Sequence, residues 1–459
     1  MKIRPLIQVL HTLEQLREHQ RWTRPQLMAY QDKALQQLRD YAYTHSPFYQ
    51  RFHHGLFDRP LHALPILTKS IMMENFDELV TDQSIHLDAV RAFAGERAEE
   101  RLFLGQYWVT ATSGSSSQPG FFLFNEREWS TIIASFARGQ EWSGTTVSLW
   151  RRGKMATVAS ISPWHMSSQV TSTAKTWWTP SIRLPATDPL ESMVQRLNEW
   201  QPDILIAYAS MARILAEEQL AGRLHIQPNK TFTSSEVLTD ETRRLVKSAW
   251  GNEPFNQYGA TETADIAAEY EGCRHMHMFE DLVIVEVVDE QYQPVPPGIY
   301  GAKTLITTLF SRTQPLIRYE LNDSVRLGTE ACSSGLPFAM LDAIQGRVED
   351  VLILPGKSGG RVAVQPLVFN RVMDNLPASG WQIVQDGEDS LAVRLSGVHD
   401  GVEDSDLVDN LMQALKQQGV QVSSITVQRV STIPKTPAGK TPLVKAHNPS
   451  RSQEEIKHG

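Results

Sequence analysis

Between residues 188 and 262 short apolar runs alternate with longer amphipathic stretches, and this alternation restricts the possible folds more than any other feature of the chain. Leu190, Met193, Val194 and Leu197 return at helical spacing to one face. Asp188 reads as the cap of that helix, with Pro189 in its first turn and Glu191 three residues after the cap. Residues 204–208 form a short buried strand, residues 211–220 a helix, 231–233 a strand, and 239–250 a second capped helix. Strands and helices in this order predict an α/β domain built on a largely parallel sheet. Ligands of such domains bind beyond the carboxyl ends of the strands. Two such ends are polar here: Ser234-Ser235-Glu236, and the run Gln257-Tyr258-Gly259-Ala260-Thr261-Glu262.

The flanking regions follow other patterns. Leu27, Tyr30, Ala34, Leu38 and Tyr41 make one face of an N-terminal helix capped by Thr23. A strand, a loop and a second strand are expected around residues 107–124, then a helix over 126–138 and short strands over 146–150 and 155–161. Residues 283–288, 300–308 and 316–319 predict a more β-rich part, with a turn at Pro296-Pro297-Gly298. Near Gly346-Arg347 a smaller pattern begins: strands at 381–384 and 391–395, a helix over 406–418 and a strand over 425–430. The expected organisation is a large domain over 1–345, a small α+β domain over 346–446 and a polar tail over 447–459.

Composition removes several function classes. A formal net charge of -8 over 459 residues gives no electrostatic reason to expect nucleic acid as a partner. Two cysteines, Cys273 and Cys332, do not make a disulfide framework and suit a reducing compartment. No segment is long and apolar enough for a membrane span, and the start, Met1-Lys2-Ile3-Arg4-Pro5, lacks a signal-peptide pattern. A cytoplasmic protein with no membrane partner is expected. Five of the eleven tryptophans lie between Trp142 and Trp178, as core residues or as walls of a pocket for a flat ligand.

The chemistry centres on Thr112-Ser113-Gly114-Ser115-Ser116-Ser117-Gln118-Pro119-Gly120. Small, flexible, hydroxyl-bearing residues can wrap N–H and O–H groups around phosphate oxygens. No Gly-Lys-Ser/Thr closes the stretch, so it is not the P-loop of ordinary NTPases. Further along come Ser234-Ser235-Glu236, Tyr258 to Glu262, the run Pro315-Leu316-Ile317-Arg318-Tyr319-Glu320-Leu321-Asn322-Asp323, Gly346-Arg347-Val348-Glu349-Asp350, and Pro434-Lys435-Thr436-Pro437-Ala438-Gly439-Lys440. In this order and spacing the motifs resemble those of the adenylate-forming superfamily of acyl-CoA synthetases and adenylation domains. The branch resembled is the phenylacetate-CoA ligase and CapK-like group, over nearly the whole chain.

The resemblance implies a large N-terminal domain and a small C-terminal domain that reorients between two half-reactions. A carboxylic acid and Mg-ATP would give an acyl-AMP and pyrophosphate, and the acyl group would pass to coenzyme A. Thr112, Ser113, Gly114, Ser115, Ser116 and Ser117 would hold the β- and γ-phosphates. Glu262 would supply an oxygen ligand to Mg²⁺, Thr261 would bond the α-phosphate, and Tyr258 with Gly259 would lie against the adenine. Glu236 would border the nucleotide or the acyl pocket. Asp323 would accept bonds from the ribose hydroxyls and Arg347 would add a second contact there. Arg318 either supports the site or makes a structural ion pair, and Glu349 or Asp350 marks the hinge. Lys440 would enter the site during adenylation and offset charge on the transferring groups.

Two departures from the family pattern stand out. Ser117 occupies a place where the family has glycine, and so does Asn322, before the aspartate. They leave open a degenerate, non-catalytic nucleotide-binding module. Cys273, His275 and His277 suggest a zinc site, with Cys332 or Glu280 as a fourth ligand. The alternative acceptors are an amine or the thiol of a separate carrier protein, and a homodimer is left open. The branch suggests an aryl or arylacetic acid, with Trp164, His165, Trp177 and Trp178 as pocket candidates.

Overall fold

The computed structural model describes residues 3–95, 102–112, 119–145, 153–160, 162, 164–174, 180–330, 332, 334–347, 351–357, 359–364, 366–373, 376, 378–398, 403–436 and 440–446. Its centre is a nine-stranded mixed sheet. From one edge the strands run Ser181–Pro185, Met155–Ala159, Ile204–Tyr208, Lys230–Ser234, Phe255–Ala260, Ala264–Tyr270, Cys273–Met278, Met340–Arg347 and Asp323–Leu327. The first five are parallel. Beyond Phe255–Ala260 every pairing is antiparallel.

The parallel half follows from the alternation of runs. Helices Leu190–Trp200, Ala209–Leu220 and Asp240–Trp250 lie between its strands, and their apolar faces meet in one core with Leu197, Leu205, Met211, Leu215 and Trp250. Burying each such side chain contributes about 1.5–3 kcal/mol. Thr239 caps its helix as expected: its side chain accepts from the Thr242 amide at 3.2 Å. Asp188 does not cap. The N-cap is Pro189, which has no side-chain acceptor, and Asp188 faces Arg196 at 3.9 Å instead.

A second core gathers under helix Glu126–Trp142 and the antiparallel pair Trp108–Ala111 and Phe121–Phe124. All four residues of the Phe121–Phe124 strand are buried because both faces are covered. The helix begins at Asn125, whose Oδ1 accepts from the Arg127 and Glu128 amides, 3.0 Å each. Helices Ile3–His19 and Arg24–His45 complete this side. The predicted strand at 316–319 lies further on, at Tyr319–Leu321. Arg318 has φ +52, outside the strand region, and its guanidinium is buried against Glu286 at 3.1 Å and the Leu64 carbonyl. Of its two readings, the structural ion pair is the one observed. The predicted strand at 146–150 lies outside the described residues.

From Leu352 onward the side chains join a third core. Helices Pro366–Met373 and Asp404–Gln417 cover a four-stranded sheet ordered Ser424–Arg429, Ser390–Val398, Ala378–Gln385, Val444–Lys445. Phe369, Trp381, Leu391, Leu395, Leu407 and Leu411 fill its centre. The short Val444–Lys445 strand pairs with Ala378–Gln385 and holds the segment that follows Lys440. No helix among the described residues is long and apolar enough to cross a membrane.

Candidate active site

Parallel strands place their carboxyl ends side by side, and here those ends carry Tyr208, Ser234 and Ala260. The next residues turn sharply. Ser235 has φ +67, a left-handed angle that a non-glycine residue seldom adopts, and it precedes Glu236. At the end of Phe255–Ala260 the chain reverses through Thr261 and Glu262, and Ala264 has φ +71. Gly259 is required by this reversal, since a Cβ there would stand 2.6 Å from the Ala264 carbonyl oxygen. Backbone strain of about 1–3 kcal/mol per residue persists only where the surroundings enforce it.

Tyr258 and Asp323, separated by 65 positions, meet: the Tyr258 hydroxyl donates to Asp323 Oδ2 at 2.8 Å. Asp323 is also the register partner of Arg347 on the neighbouring strand. The Arg347 side chain lies outside the described residues. Asn322, next to Asp323, is not among the described non-glycine residues with positive φ, so the backbone there makes no demand that only glycine meets. Glu262 is buried and lies near Tyr319, whose phenol is pushed far above its ordinary value by burial first and the Glu262 charge second. Thr261 is half-buried, and its carbonyl accepts from the Thr110 hydroxyl at 3.4 Å. Hard oxygen donors such as the Glu262 carboxylate suit Mg²⁺ carried by a nucleotide.

The Ser/Gly stretch is described only at its ends. The Thr112 amide donates to the Gly120 carbonyl at 3.0 Å and the Gly120 amide to Thr112 Oγ1 at 2.8 Å, which closes the loop base. Ser113, Gly114, Ser115, Ser116 and Ser117 lie outside the described residues, as do Glu349, Asp350, Trp177 and Trp178. Trp164 packs edge-on against Phe93, with ring centroids 5.5 Å apart.

The small domain brings Lys440 to this edge. Its Nζ stands 5.7 Å from the Tyr208 ring centroid, within reach of a cation–π contact. The loop is closed on itself: the Thr436 amide donates to the Lys440 carbonyl at 2.8 Å, and the Lys440 amide to Thr436 Oγ1 at 3.1 Å. His165 is pushed down to about 4 by burial and then by the Lys440 charge, so its imidazole is neutral at physiological pH. Glu236 binds no open space with its oxygens. Oε2 accepts from the Ser210 amide and Oε1 from the Thr441 amide, each at 2.8 Å. Burial raises this carboxyl above its ordinary value, while the two amides and Lys440 pull the other way.

Two contacts in this region carry no assigned role in the sequence reading. Lys435 Nζ donates to the Ala186 carbonyl at 2.6 Å, and Arg213 donates to the Ala378 carbonyl. Lys435 stands in the motif that ends at Lys440, and that position is the one signal that could have marked it.

The metal candidates regroup. Cys273 Sγ, a His277 ring nitrogen and Cys332 Sγ lie within 4.8 Å of one another. His275 is not in this group; its Nδ1 pairs with Asp342 at 3.1 Å. A register shift at Glu269/Tyr270 puts extra residues into the hairpin before His277, so alternation along the strand no longer keeps 273, 275 and 277 together. Glu280 is engaged by Arg24 at 2.9 Å and by the Ala339 amide at 2.6 Å. Burial, and then the bond to Cys332, push the Cys273 thiol up to about 11.

No protein-family model matches the chain. Among curated proteins it is similar to a phenylacetate-coenzyme A ligase of Thermus thermophilus, 29% identical over 215 residues, which are 44% of this chain and 46% of that protein. It is also similar to protein CapK of Staphylococcus aureus, 25% identical over 261 residues, 55% of this chain and 54% of that one. The match spans about half the length of these curated relatives. Among solved structures, a 2-hydroxyisobutyryl-CoA ligase in its postadenylation state superposes with a TM-score of 0.72 at 19% identity, covering 96% of this chain and 94% of that one. The same ligase in its thioesterification state, with 2-HIB-AMP and CoA, superposes over the same shares with a TM-score of 0.56 at 18% identity. These likenesses show the fold: a large α/β domain followed by a smaller one.

Proposed function

We propose that this chain, a member of the adenylate-forming superfamily by sequence similarity and fold, activates a carboxylic acid with ATP and passes the acyl group to coenzyme A. The observation that carries the reading is the position of Lys440, brought by one domain against the strand ends of the other.

In the first half-reaction a carboxylate oxygen attacks the α-phosphorus of ATP. The bond from that phosphorus to the bridging oxygen breaks, and pyrophosphate leaves. Two anionic groups must approach each other, so a cation between them lowers the barrier. Lys440 supplies that charge. Asp323 receives the ribose hydroxyls while the Tyr258 hydroxyl fixes its carboxylate. Thr261 bonds the α-phosphate, and Thr112 with the rest of its loop receives the outer phosphates. Glu262 would help to hold the Mg²⁺ carried with the nucleotide, which would supply further charge neutralisation. In the second half-reaction the thiol sulfur attacks the acyl carbonyl, the carbonyl–phosphate oxygen bond breaks and AMP leaves, the thiol proton passing to solvent.

An aryl or arylacetic acid is the first substrate class, on the likeness to the Thermus protein. The experiment is ATP with benzoate, phenylacetate, hydroxy acids and amino acids, with coenzyme A present, followed by mass spectrometry. Expected products are AMP and an acyl-CoA of one aromatic acid. ADP in place of AMP would overturn the reaction type, and an amide or carrier-bound product would move the acceptor.

A zinc ion belongs to the same proposal, held by Cys273, His277 and Cys332 in a set of soft and borderline donors. Metal analysis of protein purified without chelator is expected to give about one equivalent, and less than about 0.1 equivalent contradicts the site.

A further inference from the structure

We propose that Glu236 is the positioning residue of the adenylation half-reaction, fixing Lys440 by bridging the two domains through their backbones. The inference rests on the function proposed above and adds a role for a side chain that touches no reacting atom.

The geometry is specific. Glu236 Oε2 accepts from the Ser210 amide, in the first turn of the Ala209–Leu220 helix, where the helix dipole favours an anion. Its Oε1 accepts from the Thr441 amide, one residue beyond Lys440 and 205 positions away in sequence. Both partners are N–H donors, so both oxygens must accept. An ionised carboxylate does this; a carboxamide would turn its NH₂ toward one of the amides, and aspartate is one methylene short. Lys440 itself favours the anion, against the cost of burial. Ser235, directly before it, has a left-handed φ of +67.

Beside the contact of the Lys440 ammonium with the Tyr208 ring, further polar contacts join the domains among the described residues. Lys435 and Arg213 donate to the carbonyls of Ala186 and Ala378. They hold the small domain near, whereas Glu236 grips the backbone next to the lysine. A charged group placed wrongly by an ångström loses much of its effect on a transition state. Glu236 therefore acts on the rate of adenylation. It acts little on nucleotide affinity, which belongs to Tyr258 and Asp323, and little on thioester formation, which does not use this placement of the lysine.

The test uses the full chain and its E236Q and E236A variants. Pyrophosphate exchange is measured with phenylacetate, or with the acid that the wild-type protein accepts. Thioester formation is measured with the matching synthetic acyl-adenylate and coenzyme A. Expected is a loss of about 10- to 100-fold in the exchange kcat for both variants, consistent with the loss of a charge-assisted hydrogen bond and of alignment. The KM for ATP should stay within about threefold, and thioester formation and the melting temperature should hold, with E236D restoring less than the native residue. Retained thioester formation also shows that the variant is folded. An unchanged exchange rate in E236Q overturns the proposal, and so does an equal fall in both half-reactions, which marks a merely structural role.

A silent wild-type protein would refute the proposed reaction instead. Small-angle scattering with a non-hydrolysable ATP analogue then decides the role of Glu236 without turnover. E236Q should spread the distances between the domains relative to wild type, and identical profiles overturn the bridge.

Discussion

Two walls, one in each domain, are built by different means. The wall that carries Tyr258, Glu262 and Asp323 belongs to a nine-stranded sheet, and its residues are held by strand pairing, by the Gly259 close approach and by a buried core. The wall that carries Lys440 belongs to a small domain with its own core. Among the described residues it is tied to the large domain by polar contacts that include those of Glu236, Lys435 and Arg213. The first arrangement is lost only by unfolding. The second can be undone by exchanging hydrogen bonds with water, each worth about 0.5–1.5 kcal/mol net. The side held by such polar contacts can therefore move while the other keeps its shape.

The contrast predicts unequal damage. Lys440→Ala should have the largest effect, lowering pyrophosphate exchange by about 10²–10³-fold, the scale expected for removing one preorganised charge or donor from a transition state. Thioester formation from a supplied acyl-adenylate should stay within a few-fold. Rates of the two half-reactions in the same preparation check this, and equal losses would mean that both walls act as one.

Acidification should act on stability next. His53 and His165 are pushed from 6.5 to about 4, both by burial first, with the Arg39 charge adding at His53 and the Lys440 charge at His165. In the unfolded chain both protonate near 6.5, so the unfolded state binds more protons as pH falls. Their contribution is present above about pH 6.5 and is lost as pH falls from there toward 4. For buried His53 the loss between pH 7.5 and 5 is about 2 kcal/mol, and less for the partly exposed His165. Urea denaturation at the two pH values measures the sum. Titration by NMR separates the walls, since Lys440→Ala should move His165 upward and leave His53 in place.

Tyr258→Phe should have the smallest effect. It removes one hydrogen bond to the Asp323 carboxylate, about 1.5 kcal/mol, and should raise the KM for ATP about tenfold with little change in kcat. Acyl-adenylate should bind more weakly by a similar factor in the thioester assay, because this wall serves both half-reactions. A defect confined to adenylation would contradict the comparison.

Much of the first wall was legible in the sequence because its determinants are local. Thr239 starts its helix with a polar cap, and the short runs at 204–208 and 231–233 form the strands Ile204–Tyr208 and Lys230–Ser234. Tyr258 and Asp323 stand in motifs that name them. The antiparallel half was less visible, because Gly272, at φ +80, turns the chain back into a hairpin in which Glu269, Arg274 and His275 interrupt the apolar residues. The same hairpin carries the bulge that separates His275 from Cys273 and His277, which a period of two could not foresee. Arg318 looked like part of a strand, but its buried pairing with Glu286 and its left-handed φ depend on distant residues. The second wall was legible only in part. Lys440 was marked by its motif, whereas the bond from Thr441 to Glu236 joins positions too far apart for any periodicity to reveal.

The central claim is that this chain makes an acyl-adenylate, and exchange of labelled pyrophosphate into ATP, with an acid present and no acceptor, tests it most directly. The account predicts exchange that depends on the acid and on Mg²⁺, strongest with an aromatic acid. ATP binding without exchange, across aromatic, fatty, hydroxy and amino acids, would contradict it and leave a nucleotide-binding protein that has kept the cleft and lost the chemistry.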